Sequence, residues 1–190
     1  MGDRIRAFIA IPLPREVIEH ARHLQGELQT MGLRMRWVRP GAIHLTLKFL
    51  GDIDKSRVPG IGKAMAMTAG SVGPPALAAK GIGVFPNVKK ARVLWMGLAG
   101  ETALLVDIHK RLEEQLAPLG IKPENRRFSA HLTLARTRGR LDPHSVVSCI
   151  EAIGGLAAVP FAVRQMVLYQ SELKPDGAVY TALVSRDFSK

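Results

Sequence analysis

Two histidines and two threonines stand in the same short frame in this chain, His44-Leu45-Thr46-Leu47 and His131-Leu132-Thr133-Leu134. In a β-strand alternate side chains leave opposite faces, so each frame sets an imidazole and a hydroxyl on one side and two leucines on the other. Residues i and i+2 lie roughly 6.6–6.8 Å apart along a strand, close enough to converge on one small group. Two such strands side by side would present two imidazoles and two hydroxyls to a single cleft. That set suits displacement at phosphorus without a metal. One imidazole takes a proton from the attacking oxygen and the other protonates the leaving oxygen. Both are suited to the task, because unperturbed histidine titrates near pH 6.5. The hydroxyls donate to the non-bridging oxygens, where negative charge must be held. Metal binding is the rival chemistry, but neither frame has a third ligand at a workable spacing or an adjoining Asp or Glu.

Charge points to the kind of partner. The chain of 190 residues holds 27 Lys and Arg against 16 Asp and Glu, a net charge of +11 that favours a polyanion. Arg34, Arg36 and Arg39 precede the first frame and Lys48 follows it. Arg126 and Arg127 precede the second, with Arg136, Arg138 and Arg140 after it, and Lys89, Lys90 and Arg92 make a third cluster. The single cysteine, Cys149, excludes an internal disulfide and reads as a buried, inert thiol. The apolar stretch near the N-terminus is too short to span a membrane and lacks a cleavage signal, so a soluble, cytoplasmic protein with no membrane partner is expected. His20 and His23, i and i+3, read as a half-exposed face of the first helix, His109 and His144 lack partners and read as structural, and Trp37 and Trp95 read as packing.

The elements that must hold the two frames follow from periodicity. Strands are expected over 5–13, 35–38 and 43–50, and helices over 14–31, stopped by Gly32, and 55–70. Two strands, 76–86 and 91–98, are joined by a turn at Pro86-Asn87. A helix over 101–119 closes at Gly120, and a strand over 128–135 carries the second frame. A helix over 143–153 and strands over 161–170 and 179–185 complete the chain. The order reads as α+β. Residues 1–190 form a single domain of two similar interleaved lobes, the first holding the motif at 44–47 and the second the motif at 131–134.

The stretches "RWVRPGAIHLTLKFLG" and "RRFSAHLTLAR" resemble the two His-x-Thr-x signatures of the two-histidine phosphoesterase superfamily. They are most similar to its RNA 2′,3′-cyclic phosphodiesterases, historically called 2′-5′ RNA ligases, and "GIGVFPNVKKARVLWMGL" resembles that group's central hairpin. The resemblance implies a bilobal, pseudo-two-fold duplicated fold, with antiparallel sheets facing a central cleft and helices outside. It implies hydrolysis of RNA 2′,3′-cyclic phosphate ends to 2′-phosphates, without cofactor or metal, and 2′-5′ ligation as a side reaction. The substrate would be RNA with a cyclic phosphate terminus, tRNA-like fragments included, and the protein a monomer. By the same resemblance His44 is the proton donor, His131 the proton acceptor, and Thr46, Thr133 and Arg136 hold phosphate.

Candidate RNA contacts are Lys48, Phe49, Phe85, Lys89, Lys90 and Arg92. Strict alternation sends Phe49 to the leucine side, into the core. It also sends Arg136 away from His131 unless the strand bends near Ala135. Two alternatives stay open: a hydrolase of a small cyclic nucleotide or an ADP-ribose cyclic phosphate, and a basic RNA-binding module without turnover.

Overall fold

Small and β-branched apolar residues at alternate positions, Ile5, Ala7, Ile9 and Ile11, form β1 (Arg4–Pro12) and bury one of its faces. In the computed structural model, which describes residues 3–175 and 177–189, helix α1 (Arg15–Thr30) follows. It buries Val17, Ala21, Leu24 and Leu28 at helical spacing and gives way to Gly32, whose φ of 85° only glycine adopts readily. Next come β2 (Arg36–Trp37), β3 (His44–Asp54) and α2 (Val58–Gly70). The hairpin β4 (Ala76–Phe85) and β5 (Val93–Gly100) leads into α3 (Thr102–Leu116) and β6 (Leu132–Arg136). The chain ends with α4 (Pro143–Ile153), β7 (Val159–Ala162), β8 (Gln165–Lys174) and β9 (Gly177–Asp187).

All the strands join one antiparallel sheet in the order β7-β4-β5-β6-β3-β1-β8-β9, with β2 lying against β6. The order is symmetric about its middle. There β3 and β6 share one pair, Leu45 opposite Leu132, and each is backed by three further strands. The C-terminal strands β8 and β9 return to pair beside β1, so one half of the sheet draws on both ends of the chain and the other, β4 to β7, on its middle. Helices α2 and α3 pack against each other and α2 against β8 and β9, while α1 meets β7 and α4 meets β4. The α+β class and the antiparallel sheet agree with the expectation from sequence.

One expected strand is corrected. The run 161–170 divides at Val163 and Arg164 into β7, the strand at one edge, and β8, which lies just inside the opposite edge strand β9. Val163 N–H donates to Pro75 O at 3.2 Å, and Arg164 O accepts from Phe188 N–H at 2.9 Å, so each residue is tied to a different edge. Two residues can link the two ends of a sheet only if it curls until those ends approach. An apolar run in sequence carries no mark of such a change of partner. The strand expected over 128–135 also begins only at Leu132.

Leu45 and Leu132 are fully buried where the halves meet. Leu45→Ala is therefore expected to lower unfolding free energy by about 2–5 kcal/mol in urea titration. A loss below about 1 kcal/mol would contradict the tight packing of this crossing.

Candidate active site

The two motif strands run antiparallel through their single shared pair. That sense puts His44 on the Thr133 side of the crossing and Thr46 on the His131 side. All four are half-buried on the face turned away from the leucines.

A β-bulge falls at the last residue of each motif. Ala10 pairs with Thr46 and Ile9 with Lys48, leaving Leu47 as an extra residue in β3. Trp95 pairs with Thr133 and Leu94 with Ala135, leaving Leu134 as an extra residue in β6. One inserted residue reverses the alternation beyond it. Leu47 and Lys48 are both buried, as are Leu134 and Ala135, and the next residues, Phe49 and Arg136, emerge on the histidine face. Phe49 is 58% exposed. Strict alternation, which assigned Phe49 to the core and turned Arg136 away from His131, is thus corrected at both places by one device.

The histidines are oriented alike. Nδ1 of His44 lies 2.8 Å from Ala42 O, and Nδ1 of His131 lies 2.7 Å from Ser129 O. A carbonyl oxygen only accepts, so each Nδ1 carries the proton and donates it, and Nε2 is left as the free nitrogen. Burial pushes both imidazoles below their ordinary value of 6.5, against the opposing effect of the carbonyl bonds. The charge of Arg136 lowers both further, and that of His131 also lowers His44.

Aromatic rings wall the site. His44 stacks on Phe8 at 4.7 Å and meets the edge of Tyr180 at 5.2 Å between ring centroids. Phe8 also touches Phe49, Tyr169 and Tyr180. Across the cleft, His131 meets Phe85 edge-on at 5.0 Å, and Phe85 leans on Trp95, the cross-strand partner of Thr133. The Trp95 ring fills the space where a Cβ at Gly83 would stand, so that glycine lets the ring lie flat on β4. Trp37, by contrast, packs against the core.

Both tyrosines of the chain stand on this face, unmarked by any sequence signal, because they arrive through the register of β8 on β1 and β9 on β8. Burial raises both phenols, which stay protonated and able to donate, while the Arg136, Arg6 and Arg39 charges act in the opposite direction on Tyr180.

A model of the LigT-like phosphoesterase family matches residues 11–95 and 98–180. The chain belongs to that family. It is 29% identical over 94% of its length to the RNA 2′,3′-cyclic phosphodiesterase of Methanothermobacter thermautotrophicus, and covers 96% of that protein. It is 30% identical over 94% of its length to the enzyme of the same name from Aquifex aeolicus, of which it covers 95%. Among solved structures it superposes on TT0787 of Thermus thermophilus with a TM-score of 0.78 and 26% identity, covering 97% of this chain and 98% of that one. With E. coli LigT complexed with 3′-AMP the TM-score is 0.73 and the identity 25%, over 99% of this chain and all of the other.

Not every residue marked in the sequence reaches the site of this LigT-like phosphoesterase. Lys48, expected to touch RNA, is 4% exposed on the core side of the bulge. Its Nζ donates to Lys122 O at 2.8 Å and forms an ion pair with Glu113 Oε1 at 2.6 Å. His109 is not partnerless either, since it stacks on Phe128 at 4.4 Å and approaches the same Glu113 oxygen at 3.5 Å. Lys89 and Lys90 are exposed on the β4–β5 turn. The Arg92 guanidinium donates to the carbonyls of Arg138 and Gly139, bracing the loop after β6. Cys149 is buried, and burial raises its thiol. Among the described residues no three His, Cys, Asp or Glu side chains are grouped to hold a metal ion, and no helix is long and apolar enough to cross a membrane.

Removing one partner of a buried ion pair strands the other charge. Lys48→Met should therefore cost about 3–5 kcal/mol by urea unfolding, and adding Glu113→Leu should recover most of that loss. A single variant as stable as the wild type would contradict the pairing.

Proposed function

We propose that this chain hydrolyses RNA 2′,3′-cyclic phosphate ends to 2′-phosphates by paired imidazole acid–base chemistry. The observation that carries the reading is the matched orientation of two histidines, each with Nδ1 tied to a backbone carbonyl and Nε2 free. The relatives that bear the name RNA 2′,3′-cyclic phosphodiesterase support it.

In this reading water attacks phosphorus while His131 Nε2 accepts its proton. The bond from phosphorus to O3′ breaks, and the proton on His44 Nε2 passes to that oxygen. A 2′-phosphate monoester and a free 3′-hydroxyl result. Thr46, Thr133 and Arg136 hold the non-bridging oxygens, where charge rises in the transition state. Assigning His44 as acid and His131 as base follows the family pattern, because the two halves orient their imidazoles alike. With an RNA 5′-hydroxyl taking the place of water, the same steps join two ends through a 2′-5′ link and leave the 3′-hydroxyl free.

A short RNA ending in a 2′,3′-cyclic phosphate, incubated with EDTA and followed by phosphorus NMR, tests the reading. The wild type should form the 2′-phosphate, and His44→Ala and His131→Ala should each lose about 10²–10⁴ in rate. An untouched cyclic phosphate would overturn it.

The pH dependence follows from the direction of the shifts. Turnover needs one imidazole protonated and the other neutral. Above both pKa values the acid is lost, and below both the base is lost, so the optimum lies between them. With both held below 6.5 in the free protein, the bell of kcat/KM against pH should peak on the acid side of 6.5. A bound phosphodiester anion favours imidazolium, so the kcat profile should sit at higher pH. A kcat/KM optimum above 6.5 would contradict this.

A further inference from the structure

Strand β2 is two residues long, and one of the two is an arginine set on the cleft face. Trp37 pairs with Ala135 and packs into the core, while Arg36 pairs with Arg136 and is exposed. Directly opposed residues leave the same face of a sheet. Arg136 leaves the histidine face because of the bulge at Leu134, so Arg36 stands on that face as well.

Like charges directly opposite one another destabilise a strand pair. No carboxylate relieves this one: among the described residues neither arginine takes part in an ion pair or donates a side-chain hydrogen bond. The backbone beneath them is nevertheless held firmly. Gln25, 4% exposed, donates from Nε2 to Val38 O at 2.7 Å and to Leu134 O at 2.9 Å, and Val38 N–H donates to Leu134 O at 2.9 Å. A buried clamp thus keeps two unpartnered guanidiniums side by side, where an anion between them would turn repulsion into attraction.

We propose that Arg36, standing opposite Arg136, forms a second anion subsite, which takes the phosphodiester preceding the cyclic phosphate in single-stranded RNA while Arg136 serves the scissile one. The proposal rests on the phosphodiesterase reading of the two-histidine site. Arg136 lies five residues beyond His131, one of them the bulge, so the backbone of the arginine pair is roughly 13 Å along the strand from the second histidine. Arg136 can lean back towards the scissile phosphate, and its charge is felt at both imidazoles. Arg36 sits at the level of Arg136 rather than of the motif residues, within reach of the next phosphate along the chain. A nucleoside 2′,3′-cyclic phosphate offers nothing for that position.

The test compares Arg36→Gln with wild type on a nucleoside 2′,3′-cyclic phosphate and on a short RNA with the same terminus. The variant should lose about tenfold in kcat/KM on the RNA and nothing on the mononucleotide. Wild type should lose the same tenfold on RNA whose preceding linkage is a neutral methylphosphonate, with no further loss in the variant. An equal loss on both natural substrates, or none on the RNA, would overturn the subsite. Binding of RNA ending in a 2′-phosphate, followed by fluorescence anisotropy against salt, needs no turnover. There the slope of log K against log salt should be shallower by about 0.7 in the variant, and an unchanged slope would also overturn the subsite. If wild type turned over neither substrate, the phosphodiesterase reading would fall, and the slope would still decide on Arg36.

Discussion

The site depends on the placement of one extra residue in each motif strand. Without the bulge at Leu47, Phe49 would face the core and Lys48 would enter the cleft. Without the bulge at Leu134, Arg136 would turn from His131 and Arg36 would lose the face it shares with it. A strand of strict alternation can offer His and Thr to one side but must send the residue after the next leucine to that side as well. The bulge buries two successive residues instead, and so chooses what stands beyond the threonine. It puts an aromatic ring there in one half of the sheet and a cation in the other.

A bulge leaves backbone groups outside the ladder, and in a buried strand these must find partners. Few polar side chains are buried in this protein, and two of them sit at the bulges. Gln25 reaches from α1 to the carbonyls of Val38 and Leu134. Lys48, itself the residue after the bulge in β3, reaches Lys122 O and Glu113 on α3, and Glu113 accepts from the Glu124 N–H at 3.3 Å. These bonds fasten the segment that runs up to Ser129, whose carbonyl orients His131. Packing alone would favour an apolar residue at position 48. The charge there is explained by the loop it holds, and the order of that loop reaches the second imidazole.

The sequence made the motif residues legible because their meaning needs only a period of two and a repeat. The helices were legible for the same reason, with apolar spacing and terminal glycines at Gly32 and Gly120 marking their extent. What alternation could not show was its own interruption. Nothing in Leu47-Lys48 or Leu134-Ala135 announces a bulge, so strict alternation turns Phe49 and Arg136 from the cleft and sends Lys48 into it, the reverse of what the structure shows. Long-range register was equally hidden. Tyr169 and Tyr180 lie far along the chain from His44, and the apolar run 161–170 holds no hint that it divides between the edge strand β7 and the inner strand β8. Local pattern reads one strand at a time, whereas these features are properties of pairs.

Symmetry of the backbone does not make the two halves equivalent in chemistry. His44 is stacked on Phe8 against a wall of rings, and positive charge from Arg136 and His131 bears on it. Such a group resists protonation in the free protein, which is an odd property for the proposed acid. It becomes reasonable once the substrate is counted as part of the electrostatics. A phosphodiester brings one negative charge between the imidazoles and shields Arg136 from them, so its arrival favours the imidazolium that its own cleavage requires. The site, rich in cation and with imidazoles that resist protonation, is then matched to an anion, and the proton follows the substrate in. Burial does most to lower the histidines in the free protein, and the positive charge that adds to it also draws RNA to the cleft.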